Sequence, residues 1–416
     1  MPSIRSFRAI RPCAEHVTDV IINRGVAGDR EAAVATAAIN PYSFLQVSHT
    51  DMILAAEGET DDLKVRSKTR ETFRRFLENG ILAEDPVPCI YIYRLTVDDH
   101  PQTGLIACVD VEDFLAGHVK RHELTRDEKV VIQYEQFDRI GGSSEPILLT
   151  YDAAKDADSS IKTALAAWTA AHEPVYDFED AAGIRQQLWP VADESVITIL
   201  VDAFAKLDSL YICDGHHRIT AVSRYYEDHR TGPDAEKSRW FTAAIYPSDE
   251  MRILDYNRAV RDLAGLSEEE FLKALTQAEF TVTKLGTEPV RPAGHGEYTM
   301  VMDGIWYRLN FIGKRPTDSP VAELDVSVLQ ERVLKDILGI ENPQNDPRLA
   351  FLNGTKGIEA LQTATQQGMK VAFAIMPIAM PEIIKVADAG LTMPPKSTCF
   401  DPKPVAGLVI YPVREI

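Results

Sequence analysis

The residues best suited to chemistry stand together at Leu210-Tyr-Ile-Cys-Asp-Gly-His-His-Arg218. An apolar stretch with strand character runs into a glycine turn and straight into a helical pattern. Gly215 lets backbone approach a ligand where a Cβ would obstruct it. The amides of the helix's first turn and the positive end of its dipole attract an anion. Arg218 adds a planar fork for phosphate oxygens, and His216 and His217 add donors or proton-transfer groups. Asp214, at the strand end, has the chemistry of a Mg²⁺ ligand or a base. The same letters also describe an Asp-Gly turn followed by two surface histidines and a capping interaction. Residue types alone leave both readings open.

Two other clusters carry polar chemistry. In His118-Val-Lys-Arg-His122-Glu123-Leu-Thr125, followed by Lys129 and Arg139, the two histidines have the i, i+4 spacing that shares a metal on a helix. No Glu stands between them as in a zinc-hydrolase motif, and no third ligand is evident. Thr125, Lys129 and Arg139 suit a phosphate, and Glu123 suits a hydroxyl, unless the segment is a solvated face. In Met393-Pro-Pro-Lys396-Ser-Thr398-Cys-Phe400-Asp-Pro402-Lys403, the prolines stiffen a loop that aims Lys396. Pro395 stands where a phosphate-binding loop of the G-x-x-x-x-G-K-[ST] type needs glycine, so the segment is not such a loop.

The elements that must position these residues alternate between strands and helices. Ile90–Leu95, Gly104–Val111, Ile147–Tyr151, Ser209–Cys213 and Trp240–Tyr246 read as strands, and Ser160–Ala171 and Ser195–Lys206 as helices. A helix opening near His216 aligns Ile219, Val222 and Tyr226. Ser267 with Glu270 forms a capping box for a helix through Leu275. Asp303-Gly304 is the turn of a hairpin between Tyr298–Met302 and Ile305–Phe311. Ala322–Leu338 reads as one amphipathic helix stopped by Gly339. Strand Arg348–Leu352, helix Ile358–Gln367, strand Lys370–Ile375, helix Pro381–Ala389 and a last strand Gly407–Tyr411 complete an α+β reading. A boundary is expected near 250, with domains over 1–250 and 251–416.

Composition removes whole classes of function. Lys plus Arg total 44 against 63 Asp plus Glu, a net charge of −19, and such a surface repels nucleic-acid phosphates. Five scattered cysteines without a C-x-x-C pair point to a reduced compartment and no structural zinc. The opening MPSIRSFRAIRPC has no apolar core of a signal peptide, and no apolar run is long enough to span a bilayer. A cytoplasmic protein without a membrane or nucleic-acid partner is therefore expected.

Several motifs in joint order carry a resemblance. Phe7–Pro12 (FRAIRP), Asn40-Pro-Tyr-Ser-Phe-Leu45, Tyr93-Arg-Leu95, His122-Glu123 with Thr125, Asp214–Arg218 (DGHHR) and Met393–Thr398 (MPPKST) together resemble a large bacterial and archaeal domain-of-unknown-function family often labelled ParB-like or SpoOJ-like. One departure is the Pro-Tyr-Asp segment usual after the FRAIRP-like start; here residues 19–28 lack it. Gly215-His-His-Arg218 is similar to the phosphate-binding motif of the ParB/sulfiredoxin fold. That superfamily includes CTP-binding partition proteins, ATP-using sulfiredoxin and free-serine kinases. Sulfiredoxin needs a nucleophilic Cys where this chain has His216. Partition proteins add a helix-turn-helix and a basic surface that are not visible here. The resemblance thus implies a ParB/sulfiredoxin-like mixed-sheet N-terminal half with an additional α+β C-terminal half. It further implies a nucleotide (ATP or ADP) with Mg²⁺, and phosphoryl transfer to a small, serine-like hydroxyl substrate. Gly215 and Arg218 would hold phosphate, aided by Thr125, Lys129, Lys396 and Arg258. Asp214, His216, His217 and Glu123 would serve the reaction. A nucleotide-binding regulator without turnover and a DNA-associated partition-like protein are the alternatives.

Overall fold

A computed structural model describes residues 1–22, 25–26, 28–156 and 158–416. The described residues divide into two units, Met1–Met251 with Pro402–Ile416, and Arg252–Asp401. Both are α+β.

The first unit is built on a nine-stranded mixed sheet. Its order runs Val119–Lys120, Leu210–Asp214, Ile147–Tyr151, Trp240–Pro247, His100–Asp110, Ile90–Val97, Arg185–Val191 and Tyr176–Glu179, with Ile4–Arg5 pairing beside His100–Asp110. Leu210–Asp214 lies parallel to Val119–Lys120 and antiparallel to Ile147–Tyr151, which is itself parallel to Trp240–Pro247. Continuous apolar runs such as Ile147–Tyr151, buried at every position, mark strands covered on both faces. Helices Asp127–Ile140 and His216–His229 pack together beside this part of the sheet. A separate helical layer, including Arg30–Ile39 and Asp62–Glu78, closes on Phe44, Phe73, Phe76 and Ile410.

The second unit holds a six-stranded antiparallel sheet ordered Phe280–Gly286, Ile305–Phe311, Glu297–Met302, Val371–Ala374, Tyr256–Val260 and Leu349–Asn353. Ala259, Val301, Trp306, Leu361 and Ala372 form one core cluster of this unit. The Ser267–Glu270 capping box and the Asp303-Gly304 hairpin turn are present, the turn with φ of 49° and 72°.

Three expectations need correction. The helix expected over Ala322–Leu338 is a short α-helix Asp325–Leu329 continued by a π-helix Gln330–Lys335. The wider register lets the adjacent Val333 and Leu334 both turn inward, where each is buried. The last strand is only Tyr411–Pro412, paired with Gly142–Ser143, because Gly407 at φ 82° turns the chain before it. Finally, His118–His122 is not helical. Gly117 at φ 80° follows the helix Val111–Leu115, and Val119–Lys120 then becomes the edge strand. The two histidines therefore share no helix face. Of residues 19–28, Asn23, Arg24 and Ala27 lie outside the described residues.

Candidate functional site

The strand Leu210–Asp214 is buried through Cys213 and delivers Asp214, half-buried, to its end. Gly215 follows at φ 96°, a conformation that disfavours any side chain. A Cβ there would lie 3.1 Å from both Ile147 Cδ1 and Arg218 Nε. The helix His216–His229 starts at once, with Gly215 as an N-cap residue that has no side chain to offer its first amides. The strand–glycine–helix turn expected from the sequence is present.

Its charges are arranged in a chain. Arg218 donates to Asp214 Oδ2 at 2.8 Å through Nη2, and its Nη1 lies 2.6 Å from Glu145 Oε1. Lys403 forms an ion pair with Asp214 Oδ1. Burial alone would raise the Asp214 pKa, but Lys403 and Arg218 outweigh it and hold the carboxyl at about 2. Burial pushes the Glu145 carboxyl up, against the pull of Arg218. Arg218 is thus not an open fork; only 16% of its side chain is exposed. A phosphate would reach it by replacing Glu145. Both Asp214 oxygens already face cations, so as arranged this carboxylate offers Mg²⁺ no free oxygen. Among the described residues no group of three or more His, Cys, Asp or Glu could hold a metal ion.

The histidines split. His216 is buried, its ring meeting that of buried His122 edge-to-face at 4.7 Å. Its Nδ1 stands 3.8 Å from Glu123 Oε2, and its Nε2 makes no hydrogen bond. Burial holds His216 well below the usual imidazole range and His122 down to about 4, so both are neutral. The surface-histidine reading therefore fails for His216. His217 is half-buried, and its Nε2 accepts from the Arg126 N–H at 3.1 Å, which puts its proton on Nδ1. Cys213 is buried, and burial raises its thiol well above the usual range, so packing is its role.

The other expected residues are dispersed. Thr125 is half-buried, and Lys129 is exposed in the first turn of Asp127–Ile140. Arg139 pairs with Asp51 at 3.0 Å rather than awaiting phosphate. Lys396 and Arg258 belong to the second unit. Lys396 is exposed at φ 56°. Arg258 is 2% exposed, its guanidinium donating to the Tyr256 and Pro395 carbonyls and stacking 4.6 Å from the Phe351 ring. Burial draws its pKa down to about 9.

Sequence reasoning missed Glu145, the role of Lys403 and a pocket beside Arg218. That pocket, small and open to solvent, is lined by Arg218 and Glu145 together with Ile147, Phe137, Phe241 and Gln136. Its wall includes Ala406, from the terminal segment that also supplies Lys403. Nothing in a lysine 189 residues from Asp214 signals such a pairing; only tertiary structure does.

Against known families, residues 4–327 match the model described as "Protein of unknown function (DUF1015)". The chain belongs to this family. No curated protein matches it. Among solved structures, it is similar to a free serine kinase in complex with AMP at 13% identity, over 72% of this chain and 90% of that one, with a TM-score of 0.36. A mutant free serine kinase in complex with ADP matches at 14% identity, over 72% and 91%, also at 0.36. A conserved hypothetical protein from Pyrococcus furiosus matches at 11%, over 72% and 94%, again at 0.36. Among the described residues no helix is long and apolar enough to cross a membrane.

Proposed function

We propose that the protein binds a nucleotide, ATP or ADP, with its phosphates at the Gly215 turn, and transfers a phosphoryl group to a small, serine-like hydroxyl. The observation that carries this reading is the turn itself. Gly215 at φ 96° leads directly into the first-turn amides of the helix, with Arg218 beside them. Such a helix start suits phosphate through its N–H groups and dipole. The resemblance of Gly215-His-His-Arg218 to the ParB/sulfiredoxin phosphate motif supports the same assignment. It also supplies the serine-like acceptor, by analogy of fold.

In the transfer, the acceptor oxygen attacks the terminal phosphorus, the bond to the bridging oxygen breaks, and the shortened nucleotide leaves. The hydroxyl proton passes to a carboxylate, for which half-buried Glu123 is the candidate, since Asp214 is held as an ion pair. Arg218 and Lys403 offset charge developing on the phosphoryl oxygens. His216, neutral and buried, packs its ring against His122 beside the turn, and His217 is assigned as a further anion contact. Thr125 and Lys129 are assigned as further phosphate contacts.

Phosphorus NMR of the protein with ATP or ADP, Mg²⁺ and serine tests this. A new phosphomonoester signal is expected. A second reading, nucleotide binding without turnover, draws on the saturation of Asp214 by Lys403 and Arg218. Binding with no new phosphorus species, for serine or other small alcohols, would favour that regulator. The net charge of −19 argues against the DNA-associated reading.

A further inference from the structure

Arg258, on the strand Tyr256–Val260 of the second unit, carries a charge that its surroundings do not cancel. The residue is 2% exposed, and its hydrogen bonds all go to carbonyls: Tyr256 at 2.8 Å, Pro395 at 3.2 Å and Asn257 at 3.4 Å. A carbonyl accepts the hydrogen bond but brings no negative charge to set against the guanidinium. Asp255, the carboxylate just ahead of the strand, is taken up by Arg291 at 3.4 Å and by Asn257 Nδ2 at 2.6 Å. Among the described residues no carboxylate pairs with Arg258, and its pKa, drawn down to about 9 by burial, shows the same lack. Buried charges are ordinarily paired, because desolvation without a counter-charge is costly.

A second cation stands at the same place. Pro395, whose carbonyl Arg258 holds, is followed directly by Lys396. The Lys396 Nζ lies 5.9 Å from the centre of the Tyr256 ring, and the Arg258 guanidinium 6.0 Å from that ring. Lys396 is exposed and makes no ion pair among the described residues. Its backbone sits at φ 56°, a conformation that a residue with a side chain adopts only when its surroundings impose it. The Pro394-Pro395 pair and the hydroxyl of buried Ser397, which donates to the Pro394 carbonyl at 2.6 Å, impose it here. The loop thus aims a lysine in a strained turn beside a buried arginine that lacks an anion.

We propose that Arg258 and Lys396 form a phosphate site of the second unit, which takes a phosphate dianion either free or as the monoester of a small molecule. The site does not rest on the reading of the Gly215 turn. Charge selects the class: a carboxylate would leave one of the two cations over, whereas a phosphate group near its full charge matches both. Arginine supplies a planar fork for phosphate oxygens and lysine a point charge. Phosphate reaches the guanidinium by replacing the Pro395 carbonyl, the loop's own contact with it.

Calorimetric titration of inorganic phosphate into the full chain tests this, with thermal unfolding in phosphate and in chloride of matched ionic strength alongside. Matching matters because a chain of net charge −19 responds to any salt. Wild type should bind phosphate and unfold at a higher temperature in it than in chloride, and acetate should give neither effect. Lys396→Met should weaken phosphate binding by about 10-fold or more, and Lys396→Arg should retain most of the affinity. Arg258→Met should lose the phosphate-induced rise in unfolding temperature. If that variant fails to fold, the exposed Lys396 pair still decides. Glycerol phosphate binding as tightly as inorganic phosphate assigns a monoester, and much weaker binding assigns the free ion. No phosphate binding by the wild type overturns the proposal. So does binding of equal strength in wild type and folded Lys396→Met, which would place the phosphate elsewhere and leave Arg258 as a structural tie between strand and loop.

Discussion

Replacing Arg218 perturbs two things at once, and the structure gives the size of each. Its guanidinium joins Asp214 at 2.8 Å and Glu145 at 2.6 Å, with the side chain 16% exposed. Arg218→Ala therefore removes part of the fold's own ion-pair chain as well as the phosphate fork. Asp214 retains Lys403, whereas Glu145 loses the cation nearest it. Glu145 is 40% exposed, so water screens much of that loss; about 1 kcal/mol of stability should go. The effect on binding should be larger. A charge-assisted contact to phosphate contributes about 1.5–3 kcal/mol, so ATP affinity should fall by about 10- to 100-fold. Arg218→Lys should recover only part of it, because an ammonium lacks the two-point fork. Glu145→Gln sharpens the test. It removes the carboxylate that phosphate must displace, so ATP should bind several-fold tighter, and the same change in the Arg218→Ala background should do little. Calorimetry on the four proteins of this cycle, each shown folded by circular dichroism, gives the coupling directly. If folded Arg218→Ala protein binds ATP as the wild type does, the guanidinium is only a structural tie and the phosphate assignment at Arg218 is wrong.

Other outcomes follow from the same geometry. Gly215→Ala places a Cβ 3.1 Å from Ile147 Cδ1 at φ 96°, so stability should fall by about 1–2 kcal/mol, read by urea denaturation, and ATP binding should weaken with it. Cys213→Ser should leave ATP affinity unchanged, since the thiol is buried and protonated; loss of binding in a folded variant would return thiol chemistry to consideration. His122 and His216 are neutral in the fold, with pKa values below the unfolded value near 6.5, so the unfolded chain takes up their protons first. Stability should therefore fall as pH drops from about 6.5 towards 4, by up to about 1.4 kcal/mol per pH unit for each histidine, and His216→Gln should flatten that slope in denaturation curves. Asp214 acts lower: its contribution is complete above about pH 4 and is lost as pH falls towards 2. A mobility-shift assay with duplex DNA at physiological salt should show no sub-micromolar binding.

Local patterns in the sequence reached far in this protein. The periodicity of Ser160–Ala171, the capping box at Ser267 and the Asp303-Gly304 hairpin each act over a few residues, and each appears in the fold. The Gly215 turn was legible for the same reason, because strand, glycine and helix start are consecutive. What failed or went unread depended on distance or on tertiary crowding. Glu145 lies 73 residues from Arg218, and Lys403 lies 189 from Asp214. No spacing rule connects them. Arg218 read as an open fork because its carboxylate partners come from other elements. The i, i+4 spacing of His118 and His122 suggested a helix, but Gly117 and the pairing of Val119–Lys120 with Leu210–Tyr211 make that segment an edge strand. The π-register at Gln330–Lys335 likewise reflects the core's demand for both Val333 and Leu334 rather than any helix signal.

The central claim is that nucleotide phosphates sit on the amides at Gly215. A crystal structure of the protein with a non-hydrolysable ATP analogue tests it most directly. Phosphate oxygens within hydrogen-bond distance of the first-turn amides after Gly215, with Arg218 turned from Glu145 onto them, are the predicted result. A well-ordered analogue bound elsewhere, with the Arg218–Glu145 pair undisturbed, would contradict the account.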